Sequence, residues 1–224
     1  MANHVYFNIQ VENLPHGCSA FSKALKTEVV KYKNYNDDEV ERLDLKELHE
    51  QPWMPQDYEK DEHGYPENSW DYYVNEAGAK WVNIEDWDAD GGNYITGYSA
   101  WSHPVAMVSH LVRYLTEQTD TIIYAKMTYE DEFRNFIGVD TFEGFRHENE
   151  ETNEVEYGVY HSEEYVDGDE ITSKVEAHFD CDVSDEDFSW WDMRKNKDGV
   201  EEEPQTWVDD LVYDFFEKGY WEYD

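Results

Sequence analysis

Trp70-Asp71-Tyr72-Tyr73-Val74-Asn75-Glu76-Ala77-Gly78-Ala79-Lys80-Trp81 opens the stretch that decides how this chain folds. It passes through Asp88-Ala89-Asp90-Gly91-Gly92-Asn93 into Tyr94-Ile95-Thr96-Gly97-Tyr98-Ser99-Ala100-Trp101-Ser102-His103-Pro104 and runs on to Leu115. β-Branched and aromatic residues flank an Asp-rich, double-glycine connection of the kind a hairpin turn needs. Beyond it, Val105, Val108, Leu111, Val112 and Leu115 recur at helical spacing, with Ser102 available to cap free amides and Pro104 suited to a first turn. The stretch predicts strand, turn, strand and helix, with one helix face, Trp81 and Trp101 in the core.

Asn75, Gly78, Lys80 and Trp81, followed by Trp101, Ser102 and Pro104, carry a resemblance. They are similar to the Asn-Trp-Gly-Thr-Lys-Trp and Thr-Ala-Trp-Ser-Pro-Pro signature of the YubB-type ferredoxin-like domain family of phage and plasmid proteins. This chain departs from it at Glu76 and Ala77, and in placing His103 before a single proline. Over roughly residues 1–160, the resemblance implies an α+β fold: a ferredoxin-like antiparallel sheet with packed helices, an N-terminal first strand and a variable insert ahead of the signature. It also implies a phage or mobile-element origin. The family brings no catalytic residues, so none is carried over.

Outward from this stretch, Val5, Phe7, Ile9 and Val11 alternate as a strand should. Phe21, Leu25 and Val29 at fourfold spacing, among Lys23, Lys26, Lys31 and Lys33, predict a helix over Ser19–Tyr32, and Asp37–Glu50 suggests a second short helix. Pro52, Pro55, Gly64 and Pro66 mark loop chemistry, so residues 33–68 are read as the insert. Thr121–Tyr129, Phe133–Val139 and Val155–Tyr160 predict further strands, the last two joined by a solvated loop over Glu148–Glu154, and Ile171–Phe179 a weaker one. The expected division is a domain over 1–168 and an acidic C-terminal extension over 169–224.

That extension ends in an amphipathic pattern. Pro204 opens it, Trp207, Val208, Leu211, Val212, Phe215 and Phe216 form one stripe, and Gly219 is placed to end it. Asp209, Asp210 and Asp214 lie opposite, and the bland reading leaves them simply facing water. The sharper reading joins them to Asp180, Asp182, Asp185, Glu186, Asp187, Glu201, Glu202 and Glu203 as a partner-binding track, with Trp190 and Trp191 packed between the charges.

Charge motivates the sharper reading. Across 224 residues, 54 Asp and Glu face 17 Lys and Arg, a formal net of −37, yet 17% of the residues are aromatic. Disordered acidic chains are poor in aromatics, so a folded protein is expected. Duplex DNA carries a charge per about 1.7 Å of axis, so this charge matches roughly 60 Å of duplex. Such a field repels nucleic acid directly and attracts proteins with basic grooves. The expected partner is a host protein with a basic nucleic-acid-binding surface, inhibited by DNA-like charge mimicry in the host cytoplasm, with no membrane contact.

Other chemistry has thinner support. Asp86, Asp88 and Asp90 begin like a calcium loop, but the twelfth position is Gly97 and the flanks read as strands. His178 and Cys181 beside Asp180 and Asp182 offer two soft ligands without a second cluster. Cys18 and Cys181 have no CxxC partner, which fits free thiols. No metal or cofactor is expected. Phosphate-cradling glycine loops, GxSxG and HExxH are absent from the sequence, and His103 fits capping or packing better than catalysis. The alternative is a small-molecule-binding protein or enzyme on the same fold, its acidity serving solubility.

Overall fold

Val5, Phe7, Ile9 and Val11 are all buried on one face of β1 (His4–Glu12). In this computed structural model, which describes residues 3–33, 35, 37–148, 152 and 154–219, β1 pairs antiparallel with β5 (Tyr94–Ala100), which in turn pairs antiparallel with β4 (Val82–Asp88). Asp88 closes the β4–β5 hairpin by accepting hydrogen bonds from the amides of Asp90 and Gly92, each at 2.8 Å. With β6 (Tyr124–Asp131), β7 (Phe136–Glu148) and β8 (Val155–Asp167) these strands form a six-stranded antiparallel sheet in the order β4-β5-β1-β6-β7-β8. The architecture is α+β.

The chain divides into two compact units. The first comprises Met1–Met127 and Asp140–Ser162, the second Thr128–Val139 and Glu163–Asp224. The second unit takes in segments of β6, β7 and β8 together with the C-terminal residues.

In the first unit, the helix expected after Pro104 is α3 (Val105–Thr119), with Met107, Val108, Leu111, Val112 and Leu115 fully buried. The preceding stretch differs from the expectation of a strand. Ser69–Tyr72 is a short helix, α2, continued by a π-turn over Tyr73–Ala77 that ends on left-handed Gly78, φ 83°. Asn68 caps it through Asp71 N. Gly78 lies against the start of α3, and Ser102 donates to its carbonyl at 2.6 Å instead of capping α3. Trp81 is half-buried, while Trp101, expected in the core, is 53% exposed.

The Ser19–Tyr32 helix is likewise corrected. Only Ala20–Ala24, α1, is helical, and β2 (Thr27–Lys33) then pairs antiparallel with β3 (Glu39–Leu45), where a second helix was expected. Thr27, Val29, Val30 and Tyr32 favour a strand, and cross-strand charge supports it, with Lys31 Nζ 3.2 Å from Glu41. Fourfold spacing misled because only Phe21 and Leu25 are buried; Val29 is 61% exposed. The insert is more than loop: Leu48, Trp53 and Met54 are buried, and a 3₁₀ turn spans Leu48–Glu50. Most of the expected Glu148–Glu154 loop lies outside the described residues.

In the second unit, Gly168–Phe179 is a helix, α4, where a strand was expected. Asp167 caps it by accepting from Glu170 N at 2.9 Å, and Ile171, Val175 and Phe179 fall on one buried face. A two-stranded ribbon of β9 (Arg194–Lys195) and β10 (Glu201–Glu202) leads to α5 (Pro204–Lys218). Gly219 ends α5 in the left-handed conformation, as its position implied. Val208, Val212 and Phe215 of α5 join Ile171, Val175 and Phe179 of α4 and Ile137, Val139 and Val166 in one apolar core.

Candidate interaction surface

Burial of Val208, Val212 and Phe215 fixes the rotation of α5 about its axis, leaving Asp209, Asp210 and Asp214 exposed. The eleven carboxylates singled out in the sequence divide by what they do internally. Glu202 accepts from Asn196 Nδ2 at 2.7 Å and lies 2.6 Å from His178 Nε2. Glu203 precedes α5 and accepts from the Thr206 hydroxyl. Asp209 is ion-paired with Arg134 and accepts from Gln205 Nε2 at 3.0 Å. The hydroxyl and amide of Ser184 bond Asp182 and hold its carboxyl below the usual range. These four are engaged in building the unit.

Asp180 ends α4 in the left-handed conformation with an exposed side chain. Asp185, Glu186, Asp187, Glu201, Asp210 and Asp214 are exposed too. Asp185 and Asp187 contribute structure through their carbonyls, accepting from Phe188 N and Arg194 Nη2, each at 3.0 Å. Between them and β9, Phe188 packs edge-on against Trp190, 5.1 Å between centroids, and Arg194 sits over the Phe188 ring at 4.9 Å. Trp190 is half-buried, as a spacer between charges should be, but Trp191 is 70% exposed. The second unit holds 25 acidic against 6 basic residues, a net of −19.

Both candidate metal groupings have donors engaged within the fold. Asp88 is spent on the hairpin amides, which hold its carboxyl low, and Asp86 accepts from the Tyr94 hydroxyl at 2.9 Å. His178 faces Glu202 and stacks on Trp207 at 4.2 Å, while burial pushes the Cys181 thiol up. Both cysteines are free thiols.

Lys80 and Trp101, two of the residues that carry the resemblance, join Trp70 in an aromatic clamp in the first unit. Lys80 Nζ lies 4.7 Å from the Trp70 ring centre and 4.4 Å from that of Trp101, a residue whose φ of 73° is unusual for a bulky side chain. Asn75 lies in the π-turn and Pro104 immediately precedes α3. Sequence reasoning noticed His103 but missed its neighbour. Asp140, fully buried, has carboxylate oxygens 3.1 Å from His103 Nε2 and 3.4 Å from His161 Nε2. An acid inside the apolar run Ile137-Gly138-Val139-Asp140 was the available signal. Phe133 and Arg134 were also missed: the sequence reads them as the start of a strand over Phe133–Val139, but β7 begins at Phe136 and both lie in the turn before it.

No protein-family model, no curated protein and no solved structure matches this chain.

Proposed function

We propose that the protein is a phage-type acidic interaction protein that binds and inhibits a host nucleic-acid-binding or defence protein by DNA-like charge mimicry. Its fold is a ferredoxin-like sheet with an acidic C-terminal helix, its origin the phage and plasmid family that the motif residues resemble, and its place of action the host cytoplasm. One observation carries the reading: nine of the eleven tail carboxylates stay exposed on a unit whose apolar residues form a buried core. Mutual repulsion among fixed charges must be offset by burial, and this unit provides it. The same field disfavours direct contact with nucleic acid. Neutralising the free set alone tests the reading. Asp185→Asn, Glu186→Gln, Asp187→Asn, Asp210→Asn and Asp214→Asn together leave Glu202, Glu203 and Asp209 in place, and should abolish partner capture while leaving the helical signal intact.

A second reading, a small-molecule binder whose acidity serves solubility, is favoured by an aromatic cavity in the second unit.

A further inference from the structure

The β6–β7 turn is built to present two side chains. Asp131, 2% exposed, accepts from the amides of Phe133 and Asn135 at 3.1 and 3.3 Å, and its own carbonyl accepts from Arg134 N at 2.8 Å. Arg134 is held left-handed, φ 53°, a conformation that non-glycine residues adopt only when the surroundings impose it. Gly168 N, at the start of α4, donates to Asn135 O and ties the turn to the helix. Against this fixed turn lies a cavity of about 280 Å³ lined by Phe133, Arg134, Ile171, Trp190, Trp191 and Val208.

Three features define what the cavity takes. First, its wall is aromatic, with Phe133 69% and Trp191 70% exposed beside half-buried Trp190. Second, Arg134 Nη1 is buried without a hydrogen-bond partner. Nη1 itself offers no surface to a ligand, so an acceptor in the cavity meets the accessible remainder of the Arg134 side chain. Third, the guanidinium already faces Asp209 and Glu130, and the adjoining cleft adds Asp167 and Asp169. A further anion is repelled there; a neutral carbonyl is not. Thr172 and Gln205 add polar groups to the wall. At the small end of ligand cavities, which run from about 300 to 1,000 Å³, there is room for one flat ring system.

We propose that this cavity binds an uncharged, flat heteroaromatic molecule with a ring carbonyl, of the nucleobase or nucleoside class, stacked on Trp191 and Phe133 with its carbonyl on Arg134. The proposal stands apart from the reading of the acidic surface, whose residues Asp185, Glu186, Asp187, Asp210 and Asp214 it does not use.

Titration calorimetry of the full chain with guanosine and with guanosine 5′-monophosphate tests it, with tryptophan fluorescence as a second readout. Guanosine is expected to bind saturably and quench fluorescence, and the monophosphate to bind more weakly. Trp191→Ala should weaken guanosine binding by about 5- to 150-fold, the range of one base–aromatic stack. Arg134→Lys keeps a charge for Asp209 but loses the planar fork, and should also weaken binding, with circular dichroism unchanged. Absence of saturable binding at millimolar guanosine, tighter binding of the monophosphate, or unchanged affinity in Trp191→Ala would overturn the proposal. Capture of a basic partner is unaffected by any of these outcomes, so the two readings fail separately.

Discussion

Asp140 is fully buried and its carboxylate lies 3.1 Å from Nε2 of His103, with His161 facing its other oxygen at 3.4 Å. Both rings come from elements of the first unit that the sequence separates by dozens of residues. Removing one partner of a buried charge leaves the other uncompensated, at a cost of about 3–5 kcal/mol. The double variant His103→Ala/His161→Ala should therefore lose about that much stability in urea unfolding. Adding Asp140→Leu, similar in shape and uncharged, should recover most of it. A triple variant less stable than the double would show that the carboxylate does not depend on these imidazoles.

Gly97 is required by close approach of strands. A Cβ there would come 2.1 Å from Asn83 O and 3.0 Å from Ile84 Cα of β4, next to the bulge between Ile84 and Asp86. Gly97→Ala should cost about 1–3 kcal/mol through overpacking. Gly91→Ala, with open space around it, should stay within about 0.5 kcal/mol of the parent. Equal unfolding midpoints for the two variants would contradict this packing.

His49 gives the first unit a pH dependence. It is 3% exposed, and burial pushes its imidazole below the ordinary value of 6.5, against the opposing pull of Glu47 and Glu50. The folded state thus holds the proton less well than the unfolded chain. The contribution is complete above pH 6.5 and is lost as pH falls through the lowered folded value. Thermal midpoints measured from pH 7.5 to 5 should fall more steeply for the parent than for His49→Gln. Parallel slopes would remove His49 from the account.

Much of the fold could be read where local pattern and tertiary burial agree, as along β1, α3 and α5. The sequence misleads where one periodicity serves two structures. Phe21, Leu25 and Val29 match a helix, but β-branched Thr27, Val29 and Val30 form an exposed ribbon with β3. Ile171, Thr172 and Val175 suggest a strand, but Asp167 as N-cap and the fourfold spacing of Ile171, Val175 and Phe179 make α4. Trp101 looks like core by composition, yet it is turned outward with φ 73° over Lys80. For the candidate surface, residue type located the carboxylates. It could not separate Glu202, Glu203 and Asp209, which pair with His178, Thr206 and Arg134, from those facing water, because those partners are set by tertiary structure.

Displacement by duplex DNA tests the central claim most directly. The immobilised protein is exposed to host lysate, washed with rising salt, then challenged with short duplex DNA, beside the variant in which Asp185, Glu186, Asp187, Asp210 and Asp214 are neutralised. The account predicts a retained nucleic-acid-binding protein, released at least about tenfold more readily when salt rises from 50 to 200 mM. It also predicts that duplex DNA displaces that protein and that the neutralised variant fails to hold it. Retention of the same proteins by the variant, or indifference to duplex DNA, would contradict charge mimicry.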